Sequence, residues 1–386
     1  MSRRAGLCVA ALVCALTAPR PAAAAGLTSP APLAKAYELI LDARFDEAER
    51  QLAQACPPAP GPACDVIRAV AGYWRLMLDP ENTSGDTALM TRIDGSIAST
   101  EAWVVREPNR AEAWFYLGGA YGTRVLLRGQ RAQYLAAARD GKRIHDALQR
   151  AIKLDASIGD AYFGLGLYHY YAAISPRAAR ILSALLLLPG GDRPGGLKEM
   201  EQTRSRGLLL RGEADYQLHL IYLWYERQPM TALRLIDGLR SRYPHNPVFA
   251  LNLAHVQSDY LRTPAAALET YRALLDAARG SHVAGPALAD VNARLGMAQQ
   301  MDVLCDTAGA IEQLRAVIAQ RPAAPYAALP RAHHQLGVAL DRAGRRAEAL
   351  AAYQNALASI PRDDRLRIGE KSREAIRRAP AARGCR

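Results

Sequence analysis

What this 386-residue chain lacks narrows it first. No stretch carries the two-residue alternation of a β-strand, so sheet-based folds are excluded. No apolar run reaches the roughly 20 residues that a membrane-crossing helix needs. Catalytic signatures are missing as well: there is no Gly-x-Ser-x-Gly, no His-Glu-x-x-His and no phosphate loop ending in Gly-Lys-Ser/Thr. Gly164–Leu165–Gly166 begins like a dinucleotide fingerprint, but His169 stands where the third glycine belongs and no strand precedes it. Gly166 is therefore read as a point of close helix packing. Cys-x-x-Cys is absent, and His333–His334, the one adjacent histidine pair, would point about 100° apart on a helix. Neither a metal site nor a cofactor is expected. Asp160, Asp215 and Asp259 could face a cleft, but nothing sets any two of them at a defined separation, so each reads as a solvated helix residue.

Compartment and charge come next. Residues 1–25 join a basic start (MSRR) to a short apolar run (GLCVAALVCALTA) and a small-residue stretch (PRPAAAAG). That is the layout of a secretory leader cleaved near Ala25, which points to the periplasm or cell envelope of a bacterium. Cleavage would remove Arg3, Arg4 and Arg20 and no acids, taking the net charge from +12 to +9. The remaining charges alternate in sign along most helical segments, as on solvated faces, and cluster in the tail at Arg377–Arg378 and Arg383. The surplus suits peripheral association with anionic envelope or membrane surfaces; no nucleic-acid partner is expected. Cys56 and Cys64 flank the stiff loop PPAPGPA, where an oxidising compartment favours a disulfide. A Cys305–Cys385 pairing is the weaker second expectation.

What is present is a repeated helix pair. In PRAHHQLGVALDRAGRRAEALAAYQNALASIP (330–361), Leu336–Gly337 place a large and a small residue on a first helix, and Gly344 falls in a turn. Ala349, Tyr353 and Ala356 share one face of a second helix, and Pro361 closes the unit. Related units begin at about residues 29–62 and again at Trp114–Leu117–Gly118–Tyr121. Tyr162–Leu165–Gly166 reopen the pattern 48 residues after Trp114, which implies longer helices rather than a new domain. A helix pair of this size cannot bury its apolar face alone, so neighbours must stack on it. The expected order is a leader (1–25), N-terminal hairpins (26–107), an array (108–361) and a capping helix with a basic tail (362–386). Residues 172–211 interrupt the cadence with an apolar run, Ile181–Leu188, and the Gly-rich LPGGDRPGG. That loop reads first as a tight turn; the alternative is an anion loop built on Gly190, Gly191, Gly195 and Gly196.

These repeats resemble the tetratricopeptide-repeat (TPR) superfamily, most closely at 330–361. AWFYLGGAYG, DAYFGLGLYHYYAA and LLLLPGGD are further similar to exported bacterial TPR proteins, themselves distantly similar to the tetratricopeptide repeat protein 39 group. The resemblance implies an all-α, right-handed superhelical solenoid of antiparallel helix pairs, with a protein-binding or scaffolding role and no reaction. Its frame puts Phe115, Phe163, Leu167, Tyr170, Tyr171, Gln217, Ile221, Trp224 and Tyr225 along an aromatic concave groove. His255, Met301, Arg331, His334 and Arg342 continue that groove to a basic end. Tyr outnumbers Phe 17 to 4, and Tyr offers apolar area with a polar tip. The leading expectation is a non-enzymatic binder of a partner protein or peptide; the alternative is a binder of an envelope glycan or lipid headgroup.

Overall fold

The computed structural model describes residues 26–175 and 190–380. Among these residues there are seventeen α-helices and no strands. They run α1 (Pro30–Leu41), α2 (Phe45–Ala55), α3 (Gly61–Leu76), α4 (Asp86–Arg106), α5 (Ala111–Gln130), α6 (Tyr134–Leu154) and α7 (Ala161–Ile174). From residue 190 onward come α8 (Arg193–Arg206), α9 (Arg211–Trp224), α10 (Pro229–Arg242), α11 (Pro247–His255), α12 (Pro264–Arg279) and α13 (Pro286–Val303). The last four are α14 (Thr307–Gln320), α15 (Ala328–Arg342), α16 (Arg346–Ala358) and α17 (Ile368–Arg377). Local chemistry sets many of the starts. Proline stands in the first turn of α1, α3, α8 and α10 to α13, where its missing N–H costs nothing. Asp192, Asn246 and Asp306 each accept a backbone N–H as N-caps. Gly344 takes the left-handed turn (φ 74°) between α15 and α16.

Neighbouring helices pack in sequence, as in a TPR-like solenoid. The fit between partners comes from glycine against a large side chain. A Cβ on Gly118 of α5 would fall 2.5 Å from Leu148 of α6, one on Gly296 of α13 would land on the Tyr271 ring of α12, and one on Gly337 of α15 on the Tyr353 ring of α16. The longer unit is explained too: α5 and α6 run to 20 and 21 residues, so the extra length lies within the helices. Of the irregular stretch, α7 meets α8 through two glycines. A Cβ on Gly166 would sit 2.7 Å from the Gly196 carbonyl, and one on Gly196 would sit 2.6 Å from the Gly166 carbonyl. Ile181–Leu188, Cys385 and the leader lie outside the described residues. Cys56 and Cys64 form a disulfide across the α2–α3 loop, with Cα atoms 6.6 Å apart.

Where an open groove was expected, the superhelix curls back on itself. The start of the chain meets its middle: His245 donates its backbone N–H to Asp42 at 3.0 Å, and the Asn246 side chain donates to the Leu41 carbonyl at 2.7 Å. The Trp74 indole of α3 donates to Glu213 of α9 at 3.0 Å and meets the rings of Tyr216 and Phe249 edge-on. Farther on, the Tyr326 N–H bonds Asp79 at 3.0 Å, and Arg365 reaches Thr83 at 2.8 Å. The capping helix α17 buries Ile368, Ser372 and Ala375, and Arg346 donates to its last carbonyls at Ala375 and Ile376.

The Gly166–Gly196 crossing yields a prediction. Both obstructing groups are backbone atoms, which cannot swing aside, so Gly196→Ala is expected to lower unfolding stability by about 1–3 kcal/mol. Gly95→Ala, in α4 where nothing lies within 4 Å, is the control and should raise stability by about 0.5–1 kcal/mol. Chemical denaturation monitored by helical circular dichroism measures both.

Candidate functional site

Closure turns the inner face of the superhelix into a cavity of about 1660 Å³. Its wall draws residues from Tyr37 of α1 to Lys371 of α17 and is mostly apolar, with Val66, Val70, Phe115, Leu126, Phe163 and Leu167 along it. The groove expected from the repeat frame divides in two. Phe115, Phe163, Leu167, Tyr171, Gln217, Trp224, Tyr225, Arg331 and His334 all line the cavity. Trp224 and Tyr225 also keep 51% and 45% of their surface exposed, which puts them where the cavity meets solvent.

Five expected groove residues do not line the cavity, each for a physical reason. Tyr170 is fully buried between α7 and α8, and its hydroxyl donates to Glu226 at 2.5 Å. Ile221 is fully buried on the same side, packed with Leu218 and Met200. Met301 belongs to the core of the last repeats. His255 pairs with Asp259 at 3.1 Å on a surface outside the cavity. Arg342 is taken by an ion pair with the buried Asp302.

Two of the four glycines of the anion-loop alternative are committed to other contacts. The Gly195 N–H is already accepted by the Asp192 carboxylate at 3.0 Å, so an anionic side chain occupies that helix start. Gly196 spends its position on the contact with Gly166. Gly190 and Gly191 line the cavity next to the end of α7.

Two buried carboxyls line the interior that the repeat frame did not single out. Glu213 accepts from Trp74, from Gln217 at 3.4 Å and from the Tyr37 hydroxyl at 3.4 Å, and its burial pushes its pKa up. Asp160 accepts the N–H groups of Leu208, Leu209 and Leu210 at 2.9, 3.1 and 2.8 Å. Burial pushes its pKa up in spite of those bonds. It caps the approach to α9, a structural duty in place of the solvated role expected of it. Asp215, another of the expected cleft acids, is paired with Arg204 at 2.5 Å and Arg242 at 2.7 Å. Tyr37, Tyr73 and Trp74 were missed because they come from repeats that reach the site only through closure. Among the described residues no group of His, Cys, Asp and Glu is arranged to hold a metal ion, and no helix is long and apolar enough to cross a membrane.

The fold and its inner cavity define a TPR-like helical-repeat protein. No protein-family model matches the chain, and no curated protein matches it. Among solved structures it is similar to the crystal structure of the APC/C hetero-tetramer Cut9–Hcn1, at 12% identity and a TM-score of 0.47, over 89% of this chain and 55% of that one. It is also similar to an IFIT1 monomeric mutant with Gppp-AAAA, at 13% identity and a TM-score of 0.33, over 86% of this chain and 60% of that one. The chain thus spans 55–60% of the length of both.

The buried polar groups near the cavity give a pH signature with opposing signs. His219 of α9 has no exposed surface, its Nε2 has no partner among the described residues, and burial pushes its pKa down to about 4. A depressed histidine pKa means stability is present above pH 6.5 and lost as pH falls towards 4, by about 3 kcal/mol over that span. Glu213 and Asp160, with raised pKa values, run the other way: their burial cost is relieved as they protonate. In His219→Leu the loss between pH 6.5 and 4 should be smaller than in wild type by about that amount. Urea melts across this range read the difference.

Proposed function

We propose that this chain is a non-enzymatic binding protein of the bacterial cell envelope, engaging a partner protein or peptide at the aromatic mouth of its interior. The observation that carries this reading is the pair Trp224 and Tyr225, which line the cavity and yet stay exposed. Large amphipathic rings that remain wet in the free protein are the side chains that most often anchor interfaces. The interior carboxyls Glu213 and Asp160 are committed to structural hydrogen bonds, which argues for binding over acid–base chemistry. Export is supported by the leader-like residues 1–25 and is compatible with the Cys56–Cys64 disulfide.

Photocrosslinking from positions 224 and 225 in the envelope of the native cell tests this reading, with mass spectrometry of the adducts. Discrete protein adducts are expected. Trp224→Ala with Tyr225→Ala should weaken capture of the same partner about 10-fold or more while leaving the helical signal intact. Tyr170→Ala, by contrast, should lower stability, because that ring is core. Unchanged capture in the double variant would remove the mouth from the interface.

A further inference from the structure

The interior holds a charge that the partner reading leaves unused. Arg331, near the start of α15, lines the cavity, and its guanidinium makes no hydrogen bond or ion pair among the described residues. Asp79 and Glu81 act on it electrostatically, but neither reaches it as an ion pair, and both Asp79 oxygens are taken by the Tyr326 N–H at 3.0 Å. Burial pushes its pKa below the usual arginine value. A guanidinium carries five N–H donors; Arg331 is half-buried and its nitrogens are not sealed from solvent, so those donors stay open to a ligand in the cavity. Lys371 of α17 lines the same cavity and adds a second positive charge. His334, also on the wall, donates to or accepts from Ser372 at 3.0 Å, and burial pushes its pKa down, so the fixed charges come from Arg331 and Lys371.

We infer that the interior binds an amphiphilic anion: a long apolar chain along the aliphatic and aromatic wall, with a single carboxylate or phosphate head taken by Arg331. The volume exceeds the roughly 300–1,000 Å³ of sites for drug-sized ligands, which suits an extended chain. A peptide threaded inside would carry an N–H and a C=O at every residue, all needing partners. The polar side chains on the wall, among them Gln130, Asn252, Asn292 and Gln335, are outweighed by apolar surface. An alkyl chain needs no polar partner. This inference goes beyond the partner reading and does not depend on it, since Trp224 and Tyr225 stand at the mouth.

The test uses the purified full chain, stripped of lipid on a hydrophobic resin, and displacement of a fluorescent apolar probe. Palmitate, hexadecyl phosphate, hexadecanol and inorganic phosphate are the competitors. The two anionic amphiphiles distinguish a carboxylate from a phosphate head, and at least one should bind about 10-fold or more tightly than hexadecanol. Inorganic phosphate should not displace the probe. In Arg331→Met that gap should close, and Arg331→Lys should restore part of it. Leu167→Trp, which fills the wall without changing charge, should weaken the anion and the alcohol alike. Variants are compared only at matched helical signal. Equal affinity for anion and alcohol in wild type, a gap that survives Arg331→Met, or no amphiphile binding overturns the inference. Protein capture from position 224 in the absence of amphiphile binding leaves the partner reading standing while this one falls; Arg331-dependent amphiphile binding with no captured protein does the reverse.

Discussion

Everything in this molecule depends on how closely successive helices approach, and glycine sets that distance. At Gly118, Gly296 and Gly337 a missing Cβ makes room for Leu148, Tyr271 and Tyr353 of the partner helix. Each contact fixes one hairpin. Because a hairpin buries little by itself, its stability comes from being sandwiched, and the small rotation between neighbours accumulates along the array. Where the partner is another backbone, as at Gly166 and Gly196, the tolerance is smallest.

The accumulated rotation brings distant repeats together. Asp42 with His245, Trp74 with Glu213 and Asp79 with Tyr326 are contacts between segments far apart in the chain, and the last two pairs lie in the cavity wall. They also draw polar groups inside. Glu213 and Asp160 find enough donors to stay buried, and their cost is a raised pKa. Arg331 finds no bonded partner among the described residues.

The helices were legible in the sequence wherever periodicity and punctuation agreed. The terminal unit at 330–361 carries its own packing logic in Leu336–Gly337 and Tyr353. Cap and turn residues gave the rest: within the expected 362–386 cap the helix spans Ile368–Arg377, and Asp364 accepts the N–H groups of Ile368 and Gly369 at its start. The site was legible only in part. A repeat frame assigns faces one helix at a time, and Phe163, Leu167 and Trp224, which it turns inward, line the cavity. It cannot tell a residue on the inner surface from one pressed between adjacent helices, which is why Tyr170, Ile221 and Met301 proved to be core.

Short-range chemistry thus determined that the chain is all helix, where most helices begin and end, and which small and large residues interlock. Those outcomes need only neighbours three to four residues apart, or the next helix along. The tertiary structure alone decided that the groove is a cavity, that Trp74 and Glu213 share its wall, and that Arg331 faces it without a bonded partner among the described residues. Such results depend on the sum of many small inter-repeat rotations, a quantity that no single repeat records.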